Sequence, residues 1–344
     1  MPKILKNRIP EMKAIISKNG IWNKFINSLD SKHFSTPESL SFKEKTLLFK
    51  KSVDLVEIEP HSYCNRICPF CPNYFLDRRK TNNHFDINIF DKIISDLALI
   101  SYDQVLRFAL YSEPLASSKI IKLITTVKKM VPMCEIDTIT NGDYLDKSML
   151  DNLINAGLNT LWISIYPKDY LWVEDEVHKR VNKISSRIKI NPKIKYKSDS
   201  EITWVFPNKN INITANAKEL NKLGYDRGGS LNKLTDNNYF RDSPCRMVFS
   251  QFTVYSDGSV VPCCNIRNDY AEHNHYIIDK LDGKKSIFDV YCSNSMAEWR
   301  KNLVEVSPKK GVCESCKQHI SNSKIAKRYL EMRINKKLFD INSN

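Results

Sequence analysis

The sequence predicts an α/β protein, a parallel sheet followed by a smaller α+β region, and three observations carry that expectation. From Leu55 onward, short apolar runs alternate with helical stretches, the strand–helix–strand repetition of a parallel sheet. After Cys245 the pattern changes to short strands around a turn at Asp257-Gly258, then to polar loops and a cysteine pair. Ten cysteines in 344 residues, several of them closely grouped, point to metal or redox chemistry in a compartment that keeps thiols free.

Taken in order, residues 1–50 are polar and helical, with apolar spacing at Met12, Ile15, Ile16, Ile21, Trp22, Phe25 and Ile26. They are expected to form an N-terminal helical extension packed on the core. Residues 53–59 (Val-Asp-Leu-Val-Glu-Ile-Glu) read as a buried strand. Strand and helix then alternate over 105–111 and 117–131, 135–141 and 147–156, 160–166 and 169–184, with a last strand at 201–206. A glycine-containing loop, Arg227-Gly228-Gly229-Ser230, closes this region, so the main domain is expected over residues 51–235. Residues 236–320 form the smaller domain and residues 321–344 a basic helix or tail.

The net charge of +14 is confined to the ends. Residues 1–51 and 300–344 each carry eleven Lys/Arg against four Asp/Glu, while residues 52–299 balance at 31 against 31. A neutral middle argues against a nucleic-acid groove through a catalytic centre. Apolar stretches are broken by Asp or Lys before they could span a bilayer, and the first twenty residues lack the apolar core of a signal peptide. Cytoplasmic residence is the expectation.

The densest signal is Cys64-Asn-Arg-Ile-Cys68-Pro-Phe-Cys71, directly after the first strand. Three thiolates this close make a cluster-binding loop with one position unfilled, whereas a structural zinc site would need a fourth ligand nearby. A second set lies in the C-terminal third: Cys245, Cys263 five residues after Gly258, and the pair Cys313 and Cys316. Four cysteines so distributed suit one fully ligated iron-sulfur cluster, or a tetrahedral zinc.

The Cys-x3-Cys-x-aromatic-Cys loop resembles that of the radical S-adenosylmethionine (radical SAM) superfamily. The resemblance implies an open partial (β/α)6 barrel, with the cofactor at the C-terminal ends of the strands. It further implies a [4Fe-4S] cluster on Cys64, Cys68 and Cys71, with S-adenosylmethionine chelating the open iron and Phe70 near its adenine. Tyr111-Ser112-Glu113-Pro114 resembles the superfamily's Gly-Gly-Glu-Pro, with Ser112 in place of the second glycine, which implies that its backbone edge and the Glu113 side chain contact the amino group of the cofactor's methionine moiety. Thr140-Asn141-Gly142 resembles its Thr-Asn-Gly turn, and Ser164 a cofactor-binding polar position; Tyr166 stands where an acidic residue is usual. The second cysteine set resembles the auxiliary-cluster extension of SPASM and twitch enzymes. The single set implies the one-cluster form, of the butirosin aminocyclitol dehydrogenase type.

Together these resemblances imply S-adenosylmethionine and two [4Fe-4S] clusters as cofactors, a flavodoxin or ferredoxin as reductant, and oxidation of an alcohol carbon in a sugar or cyclitol. Radical crosslinking or epimerisation of a ribosomal peptide is the alternative enzyme, and a zinc-binding interaction module the alternative of another class. Arg227 is a candidate substrate contact, since a guanidinium beside flexible glycines grips hydroxyl, carboxylate or phosphate. Cys264 is a candidate ligand, packing residue or hydrogen-atom donor. Cys134 and Cys292, the latter expected within a helix near Trp299, are expected as buried apolar residues, and His273 and His275 as surface residues.

Overall fold

The computed structural model describes residues 20–220, 226–231, 239–318 and 324–342. Met12, Ile15 and Ile16 of the expected N-terminal helix lie outside the described residues. The strands are β1 (Leu55–Ile58), β2 (Val105–Phe108), β3 (Glu135–Thr140), β4 (Thr160–Ser164), β5 (Lys193–Lys197), β6 (Glu201–Phe206), β7 (Asn212–Lys218), β8 (Gln251–Val254), β9 (Ser259–Val261) and β10 (Asp279–Lys280). They form one sheet in the order β10-β9-β8-β1-β2-β3-β4-β7-β6-β5. From β8 through β7 every neighbouring pair is parallel; both flanks are antiparallel.

Alternation along the central strands assigns the two faces. Val56, Ile58, Leu106, Phe108, Ile136, Leu161 and Ile163 are buried in the main apolar core, packed under the helices α1 (Ile87–Leu99), α2 (Lys119–Met130), α3 (Lys147–Ala156) and α4 (Glu174–Ile188). Helix α3 starts where Asp146 accepts from the Met149 amide at 2.8 Å and stops at left-handed Gly157, the expected cap chemistry. The alternate positions Glu57, Arg107 and Asp137 are register partners across β1, β2 and β3 and form a polar layer on the opposite face. Arg107 donates to both Asp137 oxygens at 2.8 and 2.6 Å.

The expected parallel strand at 201–206 is instead the middle of an antiparallel meander. The connections on either side of β6, residues 198–200 and 207–211, are far too short for the crossover a parallel pairing requires. The parallel position beside β4 belongs to β7, whose Asn-Ile-Thr-Ala-Asn-Ala-Lys sequence is too polar to read as a strand. On the other side, β8 from the C-terminal region pairs in parallel with β1, so the smaller domain extends the barrel sheet.

A second apolar cluster joins the chain's two ends. Trp22, Phe25, Ile26 and Leu29 pack with Cys245, Phe249, Leu303, Leu330 and Ile334, the last two on the C-terminal helix Lys324–Asn342. The N-terminal extension thus packs on the C-terminal cysteine domain. Between β1 and that domain runs a buried polar network. Arg78 pairs with Glu59 and donates to Asp269 at 2.9 Å. Arg267 holds both Asp269 oxygens at 2.6 Å and donates to Asn73 at 2.7 Å. Removing one partner of a buried pair leaves an uncompensated charge, so Arg78→Ala should destabilise the fold by about 3–5 kcal/mol. Denaturant unfolding checks this; a loss within the roughly 1 kcal/mol typical of surface pairs would contradict it.

Candidate active site

All three thiols of the first loop converge at the C-terminal ends of the parallel strands, on a cavity of about 330 Å³. Phe70, Ser112 and Glu113 line the same cavity, as do Thr140, Asn141 and Ser164. Four strand ends therefore deliver what the motifs separated along the chain. Phe70 packs on Tyr166 and Tyr170, with ring centroids 5.0 and 5.5 Å away; the tyrosine in place of the usual acid completes an aromatic wall. Burial pushes the Cys64 thiol up to about 11 and the Cys68 thiol to about 12. Both are donors that need a cation to ionise, which fits an iron cluster on this loop.

Glu113 is buried, and burial pushes its carboxyl up to about 7 against the hydrogen bonds it accepts. Those come from Thr140 Oγ1 at 2.5 Å, the Asn141 amide at 2.7 Å and the Leu115 amide at 3.2 Å. The carboxylate thereby bolts the end of β2 to the Thr-Asn-Gly turn after β3. Gly142 has a φ of +75°, and a Cβ there would lie 2.9 Å from Ile184 Cδ1, so this turn requires glycine.

Asp143, one residue beyond the recognised turn, anchors the cysteine loop from outside the cavity lining, and the motifs did not indicate it. It accepts from Asn65 at 2.9 Å and from Arg66 at 2.6 and 2.8 Å, and it pairs with Arg180. Partial burial works against ionisation, but the Arg66 and Arg180 guanidiniums hold its carboxyl well below the usual range. The cysteine loop is thus clamped to β3 and α4 by charge-assisted bonds. Only an i-to-far pairing of Arg66 with an acid could have announced this, and one sequence does not display such pairing.

The second cysteine set also comes together. Cys245, Cys263, Cys313 and Cys316 line one apolar cavity with Met247, Val248 and Trp299. Among the described residues no three of Cys, His, Asp and Glu are grouped to hold a single metal ion; the thiols stand around a space rather than on a point. Two buried cations adjoin them. Arg241 donates to the carbonyls of Ser243 at 3.1 Å, Pro244 at 2.6 Å, Cys316 at 3.2 Å and Gln318 at 2.8 Å. Lys309 donates to the Asn302 and Glu305 carbonyls at 3.0 and 2.8 Å, and burial lowers its ammonium from the ordinary value. Neutral carbonyls do not cancel these charges. A four-thiolate cluster, which is anionic, would.

Cys264 stays apart from that set: it lines the first cavity, beside Glu57, Arg107 and Arg227. Burial pushes its thiol up to about 12, and nearby Glu57 adds to the shift. Arg227 reaches the same wall from a loop in which Arg227, Gly228 and Gly229 all have positive φ; a Cβ on Gly228 would lie 2.9 Å from the Asn265 carbonyl. Cys134 is buried and donates to the Gln104 carbonyl at 3.2 Å. Cys292 is buried too, but it lies between the helices Ile287–Tyr291 and Asn294–Val304. His273 is not a surface residue. Its Nδ1 takes the Arg267 amide at 2.9 Å and its Nε2 meets the Gly228 carbonyl at 2.8 Å, which pins the Arg227 loop. His275 is exposed, as expected.

Asp143→Ala should weaken S-adenosylmethionine binding about tenfold, the scale of one lost charge-assisted contact, measured by equilibrium binding to the reconstituted protein. Because Asp143 is held low in the folded state, its stabilising contribution is present above the ordinary carboxylate pKa and is lost as pH falls through the folded value. The acid limb of the unfolding curve should therefore flatten in Asp143→Asn.

Iron content separates the two metal readings. About eight iron atoms per chain are expected after anaerobic reconstitution, about four in Cys64→Ala or Cys313→Ala. Zinc with half the iron would overturn the second cluster.

Residues 245–317 match the SPASM family, an iron-sulfur cluster-binding domain. The chain is 21% identical over 267 residues to the S-adenosyl-L-methionine-dependent 2-deoxy-scyllo-inosamine dehydrogenase of Niallia circulans, covering 77% of this chain and 93% of that protein. Its fold matches the crystal structure of BtrN in complex with AdoMet and 2-DOIA, with a TM-score of 0.55 at 18% identity over 79% of this chain and 96% of that one. An open conformation of BtrN matches with a TM-score of 0.51 at 16% identity, covering 80% and 96%. Among the described residues no helix is long and apolar enough to cross a membrane.

Proposed function

We propose that this chain is a radical SAM oxidoreductase that dehydrogenates an alcohol carbon of a sugar or cyclitol. One observation carries the reading: the three-thiol loop opens onto a cavity also lined by Arg227 and Cys264, whose chain neighbours Gly228 and Cys263 line a separate pocket holding four thiols. The similarity to a 2-deoxy-scyllo-inosamine dehydrogenase over most of both chains supports it. With cluster and S-adenosylmethionine bound, the first centre supplies a 5'-deoxyadenosyl radical that takes a hydrogen atom from substrate.

The chain's own residues do the rest. Cys64, Cys68 and Cys71, which line one cavity, would hold the first cluster, and three protein ligands would leave a place for the cofactor. Ser112, Glu113, Thr140, Asn141 and Ser164 line the cofactor's place, with Glu113 also bracing the Thr-Asn-Gly turn, and the aromatic wall of Phe70 and Tyr166 excludes water. Arg227 orients hydroxyl groups of the substrate. Cys245, Cys263, Cys313 and Cys316 close around the second cluster, whose full protein ligation suits electron acceptance and not substrate binding. A cytoplasmic flavodoxin or ferredoxin is the reductant in this scheme.

The position of Cys264 favours a second reading, radical epimerisation, because a half-buried neutral thiol on the cavity wall is placed to return a hydrogen atom. Two variants separate the reactions. For a dehydrogenase, Cys313→Ala forms 5'-deoxyadenosine without oxidised product, and Cys264→Ala keeps product formation within about twofold, less than 0.5 kcal/mol in barrier. For an epimerase, Cys264→Ala stops turnover with both clusters intact. Product mass and solvent deuterium at the reacting carbon decide; deuterium incorporation would overturn dehydrogenation.

A further inference from the structure

Glu57 is a buried carboxylate that neither cluster nor the cofactor site described above uses. It sits on β1 between Thr253 of β8 and Arg107 of β2 in register, and it lines the same cavity as the three thiols and Cys264. Its neighbour Arg107 is committed to Asp137 through two hydrogen bonds. Glu57 Oε2 is fully buried and has no hydrogen-bond partner among the described residues. An unpaired buried carboxylate oxygen is costly, and such a group facing a cavity is completed by a ligand that donates to it.

We propose that Glu57 accepts the hydrogen bond of the substrate hydroxyl on the carbon being oxidised and takes its proton. This rests on the dehydrogenase reading. In this step the carbinol C–H hydrogen passes as an atom to the 5'-deoxyadenosyl radical, the O–H proton passes to the Glu57 carboxylate, one electron passes to the second cluster, and the C=O bond forms. Removing the proton makes the substrate radical a stronger reductant, which drives the electron outward.

The groups facing Glu57 set its readiness. Arg107 on β2 and Arg227 on its loop favour the ionised form, Asp137 on β3 opposes it, and the neutral Cys264 thiol lies alongside. Burial outweighs the arginines and pushes the carboxyl up to about 7, where a general base is best matched to neutral pH.

The test uses the anaerobically reconstituted full chain with 2-deoxy-scyllo-inosamine as probe. Ketone formation should rise with pH to a plateau above about 7, because only the ionised carboxyl takes a proton. Glu57→Gln should lower ketone formed per 5'-deoxyadenosine by about 10²-fold or more and abolish the pH rise, and Glu57→Asp should recover part of both. Ketone formation by Glu57→Gln within about twofold of the parent, with the same pH profile, would overturn the role. Infrared difference spectra of parent against Glu57→Gln give a readout without turnover: a carboxyl titrating near 7 is expected, and one already ionised in acid overturns the proposal. A parent that makes 5'-deoxyadenosine but no ketone sinks the dehydrogenase reading and the proton-acceptor role with it, while the infrared titration still reports whether Glu57 itself is as described.

Discussion

The network of buried Glu59, Arg78, Arg267 and Asn73, closed at its solvent edge by Asp269, is the constraint on which the rest of the structure depends. It fastens three segments far apart in the chain: the end of β1, the loop carrying the cysteines, and the C-terminal hairpin region. Ser256, in the turn after β8, adds a hydrogen bond of 2.9 Å to Glu59. Asn73 in turn donates to the Tyr111 carbonyl at 2.8 Å, and the Arg267 guanidinium lies 4.6 Å from the Tyr111 ring centre. Because the desolvated charges of Glu59, Arg78 and Arg267 are mutually satisfied with Asp269, none of these three can move alone without a large electrostatic cost. The two cysteine sets are thereby held in one frame.

Sheet register does the second part of the work. Parallel pairing sets Glu57, Arg107 and Asp137 side by side, and the alternation of the same strands commits their neighbours to the apolar layer under the helices. One set of backbone hydrogen bonds thus specifies both the core and the polar floor of the cavity. The pairing of β8 with β1 extends that logic to the region that matches the SPASM family, so residues after Cys245 complete the cavity wall as well as the second cysteine pocket.

Charge is handled differently at the two cysteine pockets. Around the first loop, the cations Arg66 and Arg180 are spent on Asp143, and the cavity stays open. Around the second, Arg241 and Lys309 are buried against carbonyls, and the pocket is closed by apolar side chains. An open first cavity and a separate apolar pocket flanked by buried cations are what the proposed electron transfer between two centres requires.

The sequence by itself determined the local chemistry. Three thiols within eight residues, the Ser-Glu-Pro and Thr-Asn-Gly turns and the C-terminal cysteine spacings are short-range patterns, readable because ligand and turn geometry span only a few residues. The strand–helix alternation likewise announced the α/β class, since each period reports its own burial. Only tertiary structure decided which strands complete the parallel series, because β7 is too polar to declare itself and its place depends on pairing with β4. It alone placed Cys264 in the first cavity and not the second, buried His273 beneath the Arg227 loop, and brought Asp143, Arg241, Lys309 and Glu57 to the sites. Those assignments rest on contacts between residues tens to hundreds of positions apart, and nothing in a single chain's order of residues encodes which distant charge will close on which.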